Sequence, residues 1–265
     1  MMKKLIAGTA CFFLLVFVNN AYGGWIIHEQ SYEAGSKEKY SVVYYISDQK
    51  LKLIDGEVET IFDLKSNIIS IIIPGKSVFW KGSPEKLKHE IRQSLENALD
   101  EKLKEVPAEK REGLRKYYLE QLNDQDPNKI NSQLDALLVN TGKKEKIAGH
   151  ISTRYALYVN MDLKEEFWIS PEVLVTREFD MLRYKELLKK INLSSGEMDY
   201  HSGSAYLQVL QTGLLMRTIE YTFGMKLVTE VVKVKQKELK SSVFSVPQKC
   251  KQVSYVELDF ENIGN

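Results

Sequence analysis

From residue 24 to residue 82 the apolar positions recur with a period of two. Trp25-Ile26-Ile27 opens a strand running toward Tyr32, and Tyr40 to Ile46 is a second stretch of β-branched and aromatic residues. Leu51 and Leu53, then Ile61-Phe62, continue the pattern on either side of the turn signal Asp55-Gly56. Ile68 to Ile73 is a short apolar run closed by Pro74-Gly75, and Val78-Phe79-Trp80 follows at once. Five or six short strands in this register predict an antiparallel meander.

The period then changes. Ser83-Pro84-Glu85 has the residues of a helix start: a hydroxyl N-cap, proline at the first helical position and an acid in the first turn. Leu87, Ile91, Leu95, Leu99 and Leu103 form a narrow stripe on an otherwise charged helix. Pro107 ends it and starts a second helix with Leu114, Tyr118 and Leu122. Asp126-Pro127 caps an expected third helix whose apolar side is Ile130, Leu134, Leu137 and Leu138, with Asn140-Thr141-Gly142 as its end.

Strands are expected to resume near Lys146. In His150 to Val159 the residues Ile151, Thr153, Tyr155, Leu157 and Val159 share one face, with Arg154 and Tyr158 on the other. Asn160-Met161-Asp162 turns the chain into Leu163 to Ile169, where Phe167 and Trp168 point to opposite sides. A helix over 176–191, a polar loop over 192–203 and a short helix over 205–210 come next. Leu215, Arg217, Ile219 and Tyr221 then alternate, Leu227 to Val234 alternates again, and a last strand is expected near Phe244. Strand runs are segregated from helix runs. That order predicts an α+β fold, an antiparallel sheet covered by helices, in one domain with a helical insertion over 83–141.

The first 23 residues stand apart from this pattern. Lys3 and Lys4, an apolar run of about 14 residues from Leu5 to Val18, and Ala21-Tyr22-Gly23 have the three parts of a secretory signal. Cleavage is expected after Gly23, which makes residues 24–265 the mature domain and its destination the periplasm or the medium. The run is short for a bilayer span, so no transmembrane anchor is expected in the mature chain. Losing Lys3 and Lys4 turns the formal net charge from +1 to −1, which gives no electrostatic pull toward nucleic acid. With Cys11 removed, Cys250 stands alone between Lys249 and Lys251, either buried as a small hydrophobe or available for an intermolecular disulfide.

Sequence motifs argue against an enzyme. His28, His89, His150 and His201 are far apart, and neither His28-Glu29 nor His89-Glu90 has a second histidine at zinc-protease spacing. No nucleophile elbow or phosphate loop is present, so no catalytic residue, metal ligand or cofactor is expected. Abundant carboxylates read as solvated faces; a hydrolase would need an acid–base pair that meets only in space. Aromatic and aliphatic residues on strands fill a core or line a cavity. The expected lining of a hydrophobic-ligand cavity between sheet and helices is Tyr45, Ile71, Phe79, Tyr155, Leu157, Phe167, Leu215 and Ile219. There each buried methylene of an acyl chain is worth about 0.8 kcal/mol.

The segments Tyr44 to Leu53, Ile61 to Lys65, Val78 to Gly82, Ile147 to His150, Lys164 to Pro171 and Phe244 to Pro247 follow one another in an order that resembles periplasmic families with the LolA/LolB/LppX-type fold. The resemblance implies a curved sheet forming a half-open barrel with a helical lid, and a lipid or a lipoprotein acyl chain as ligand. No ligand residue of those families carries over to this chain. A second expectation, of another class, is an envelope module that binds a protein partner, or senses stress through one, using its charged helical insertion.

Overall fold

The computed structural model describes residues 23–123, 136–191, 204–222, 224–258 and 260, with side chains of 121–123 set aside. Among these, twelve strands form one curved, unclosed sheet, and four helices complete an α+β fold. The N-terminal meander is β1 (Gly24–Glu33), β2 (Tyr40–Ser47), β3 (Lys50–Asp55), β4 (Val58–Asp63), β5 (Ile68–Ile73) and β6 (Val78–Gly82). Helices α1 (Pro84–Leu103) and α2 (Ala108–Asn123) follow, then β7 (Ala136–Ile147), β8 (His150–Val159) and β9 (Asp162–Ser170). After α3 (Met181–Ile191) and α4 (Ser204–Leu210) come β10 (Leu214–Thr222), β11 (Met225–Lys237) and the two-residue β12 (Lys251–Gln252).

The sheet order is β12-β6-β5-β4-β3-β2-β1-β11-β10-β9-β8-β7. All pairs are antiparallel except β12 with β6. Strand β1 joins the two halves, pairing with β2 on one side and β11 on the other. Register carries burial across the first half. Trp25, Ile46, Leu51, Phe62 and Ile69 face one another strand by strand, and all are buried. A one-residue slip would turn the whole row to the other face, so the pairing is strongly specified. Leu87 of α1, Leu187 of α3, and Val173, Val175 and Phe179 close the main core on that face. Tyr184 stands edge-on to Phe62 at 5.0 Å and tilted on Phe179 at 5.4 Å.

Helix α1 starts as the sequence implies: Ser83 Oγ accepts from Lys86 N, and Pro84 occupies the first turn. Its middle is less covered than the stripe suggests, since Leu95 is 43% exposed, while Leu87 and Leu103 near its two ends are buried. Glu90 fastens the helix, its Oε2 accepting from Trp80 Nε1 at 2.9 Å and Tyr255 N at 2.8 Å.

Three expectations change. Leu137 and Leu138 lie on β7, not on a third helix, and Asn140 to Gly142 is a bulge within that strand, with Gly142 at φ +68°. A short apolar run is ambiguous by periodicity alone, and pairing of Leu138 with Leu157 and of Val139 with Ala156 decides for strand. Helix therefore does not extend through residue 141; Asp126, Pro127, Ile130 and Leu134 lie outside the described residues. Helix α3 begins at Met181, where Asp180 Oδ1 accepts from Leu182 N and Arg183 N, and Val175–Arg177 is a separate 3₁₀ turn. The last strand is not near Phe244, which ends a 3₁₀ turn at Ser241–Phe244. The free edge of β6 instead receives Lys251–Gln252, with Lys251 N donating to Ser77 O and Val253 N to Phe79 O, both at 2.9 Å. The 192–203 loop and residues 1–22 lie outside the described residues. No helix among the described residues is long and apolar enough to cross a membrane.

Candidate binding cleft

The second half of the sheet is filled on both faces, and the sequence Glu165-Glu166-Phe167-Trp168 shows why. Alternation sends Glu165 and Phe167 to one side and Glu166 and Trp168 to the other. Phe167 is fully buried with Leu157, Ile169 and Tyr206, and Tyr155, Leu138 and Leu215 pack around them. Its ring stacks on Tyr155 at 5.3 Å and leans on Tyr206 at 4.9 Å, which seats α4 on the sheet. Behind it, Trp168 lies near two guanidinium groups, Arg154 at 5.6 Å and Arg217 at 5.1 Å. Arg154 pairs with Glu166, and Arg217 with Glu145 and Glu230, so strands β7 to β11 are bonded through an ionic layer.

Beside α4 opens a cleft of about 350 Å³. Its walls come from β1 (Glu29), β9 (Glu165), β10 (Leu215 to Thr218, and Glu220), β11 (Thr229) and α4 (Tyr206). Register explains the assembly: Thr218 faces Thr229 and Phe167, and Glu220 faces Glu165 directly. Like charges directly opposite on neighbouring strands are destabilising. A bulge between Leu215 and Arg217 inserts Met216, fully buried, beside Leu215 and gives the cleft an apolar floor. Glu165 is 1% exposed, and Tyr206 Oη donates to its Oε1 at 3.3 Å. Tyr44 Oη donates to Glu29 Oε1 at 2.8 Å. Burial outweighs that hydrogen bond and holds the Glu29 carboxyl above the usual carboxylate range. Burial, together with the charge of Glu29, pushes Tyr44 up as well.

Of the residues expected to line a ligand site, Tyr155, Leu157, Phe167 and Leu215 come together in the cluster under α4, and Leu215 reaches the cleft. Ile71 is buried in the main core opposite Trp80, and Ile219 packs against the edge of that core. Tyr45 and Phe79 are half-buried and lie one residue out of phase with core residues Ile46 and Trp80, on the other face. They do not join the others. The residues missed from the sequence are Glu29, Glu165, Glu220, Tyr206, Thr218 and Thr229. One signal was available: Glu165 stands two residues before Phe167, so a strand with Phe167 inward must bury that carboxylate too.

The model of a domain of unknown function, DUF4412, matches residues 112–250, just over half of the chain. The chain belongs to the DUF4412 family. The matched segment runs from α2 to Cys250 and holds every wall of the cleft except Glu29. No curated protein matches the chain. Among solved structures, PNGF-II is 12% identical with a TM-score of 0.35, covering 89% of this chain and 32% of its own. This DUF4412 chain thus spans about a third of the PNGF-II structure. MucB in complex with MucA(peri) is 11% identical with a TM-score of 0.37, over 87% of this chain and 57% of that one. The Pseudomonas aeruginosa MucA/MucB complex gives the same identity and score, over 87% and 58%.

Proposed function

We propose that this protein is an exported, non-enzymatic binding module whose cleft beside α4 receives a basic side chain of a polypeptide partner. One observation carries the reading: Glu29, Glu165 and Glu220 converge on an open cleft whose floor is Leu215 and Met216. A lysine or arginine side chain has the matching form, an apolar stem ending in a cation. Its charge would relieve the repulsion between the facing Glu165 and Glu220. Export is inferred from the signal-like residues 1–23. Carriage of an acyl chain is the weaker reading. It asks for an empty apolar space between sheet and helices, whereas Phe62, Trp80, Phe179 and Leu187 pack together there.

Phage-displayed random peptides, panned on the full protein and counter-selected on a Glu29→Gln/Glu220→Gln variant, test this. Enriched peptides are expected to carry Lys or Arg and to lose affinity as salt rises. Enrichment without basic residues would overturn the proposal. So would a lipid-mass adduct in the native mass spectrum of protein purified from the periplasm, since that outcome belongs to the carrier reading.

A further inference from the structure

A bulge in the β1–β11 pair falls between His28 and Glu29 and leaves Val232 without a partner on β1. It changes the phase of β11. Val231, opposite Glu29, is buried, whereas Lys233, opposite His28, is exposed. Beyond the bulge Lys233, Lys235 and Lys237 stand opposite His28, Ile26 and Gly24, the phase of β1 that points away from the buried Trp25 and Ile27. All three lysines are exposed, and they follow one another at about 7 Å along the strand.

None of the three forms an ion pair among the described residues. The acids that the register places on this face are already engaged: Glu230, opposite Gln30, pairs with Arg217, and Glu59, in the row of His28, Val43 and Ile54, pairs with Lys52. Past the end of the strand Glu238 and Lys240, both exposed, offset each other. Burial, and then the charges of Lys233 and Lys235, hold the His28 imidazole below its usual range, so the positive field reaches across β1. Beside the lysines the surface is made by half-buried Ile26, Val43 and Tyr45, with Val232 of the bulge 44% exposed. Glu29, the β1 wall of the cleft, lies in the opposite phase.

We propose that this face of β11 and β1 docks the protein on a bilayer with anionic headgroups. Lysine is a compact point charge on a flexible stem, suited to a surface of many phosphates, whereas recognition of single carboxylates favours the arginine fork. Arg217, the arginine on this face, is already committed to Glu145 and Glu230. A row along an extended strand matches a planar partner, and the amphipathic ring of Tyr45 suits the headgroup level. Each lysine near an anionic surface contributes about fivefold to binding, so three give roughly a hundredfold, a reversible attachment. The formal net charge of −1 for residues 24–265 does not oppose it, because salt limits these interactions to about 8–10 Å.

Co-sedimentation of the protein purified from the periplasm with sucrose-loaded vesicles tests this. Binding is expected to vesicles of equimolar phosphatidylcholine and phosphatidylglycerol, not to phosphatidylcholine alone, and it should fall as salt rises. Lys233→Gln/Lys235→Gln/Lys237→Gln should lose roughly a hundredfold in partitioning with an unchanged Tm. Lys143→Gln/Lys144→Gln/Lys146→Gln, exposed on β7 and equal in its change of net charge, should lose less than about tenfold. Equal losses from the two triple variants would overturn the proposal, as would equal binding to phosphatidylcholine alone or no binding to the anionic vesicles. Capture by immobilised poly-glutamate in place of vesicles would assign the row to an acidic polypeptide and refute bilayer docking.

Discussion

Phe167→Ala probes the contact on which the cleft's geometry depends. The ring is 0% exposed and sits between Tyr155 at 5.3 Å and Tyr206 at 4.9 Å. Removing it deletes a fully buried aromatic and leaves a void bounded by a strand on one side and a seven-residue helix on the other. A phenylalanine-to-alanine change in a core costs about 3–5 kcal/mol, against a total stability of about 5–15 kcal/mol for a domain. At about 2–4 °C per kcal/mol for this size, Tm should fall by roughly 6–20 °C. The local effect should exceed the global one, because α4 holds the sheet mainly through Tyr206, with Val209 and Leu210 at its margin. Urea unfolding followed by near-UV circular dichroism measures the first effect, and limited proteolysis within 204–210 below the unfolding transition measures the second. A double-mutant cycle with Tyr206→Ala should return about 0.5–1.5 kcal/mol of coupling for the ring pair. A loss under about 1 kcal/mol, or no coupling in the cycle, would refute the assignment of α4 as a wall seated by this ring.

Other substitutions test the electrostatics and the backbone. Because burial raises the Glu29 carboxyl, the folded chain holds that proton more tightly than the unfolded one, so stability is expected to fall as pH rises from the ordinary carboxyl range through the raised folded value; Glu29→Gln should flatten this part of a stability–pH curve, and an unchanged slope would contradict it. Arg217→Ala, which strands Glu145 and Glu230 and uncovers Trp168, should cost about 2 kcal/mol in urea unfolding, less than a fully buried pair because solvent still reaches it. Lys104→Ala, which breaks the exposed pair with Glu101, should stay within about 0.5 kcal/mol, and equal costs for the two would be evidence against the ionic layer. At Gly213 an added Cβ would lie 2.0 Å from the carbonyl oxygen of Ser170, so Gly213→Ala must part β9 from β10 and should lower Tm by several degrees; a neutral result would place that crossing elsewhere. Glu220→Gln should raise the stability of the free protein by about 0.2–1 kcal/mol by removing the like charge opposite Glu165, while weakening any basic peptide selected on the cleft.

The two halves of the chain differ in how far sequence reveals them. In the meander, most strands alternate, β5 is a short apolar run, and the turn signals Asp55-Gly56 and Pro74-Gly75 part the runs, so the observed β1 to β6 coincide with the expected segments. Turn residues such as Asp48 and Gln49, both at positive φ, fall between the runs. In the second half the code is degenerate. Ala136-Leu137-Leu138-Val139 fits either period, and only pairing with β8 makes it a strand. Phe244 resembles a strand residue but belongs to a turn, because the edge of β6 is taken by Lys251–Gln252.

The cleft was hidden for a related reason. Alternation tells which residues of one strand share a face, but not which strands are neighbours. Glu165 and Glu220 lie 55 positions apart and meet only through the β9–β10 register, and Glu29 joins them because β1 lies beside β11. Apolar side chains on strands signal burial, which does not by itself distinguish a packed core from a cavity lining: Ile71 and Phe167 are both buried among other side chains. Most carboxylates are solvated, so their presence in a sequence does not mark a cleft. The informative ones are those forced inward by an apolar neighbour two residues away, as Glu165 is by Phe167. The β9–β10 register sets Glu165 and Glu220 opposite each other, an arrangement that like charges disfavour, and the proposed cationic side chain of a partner is a group that would ease it.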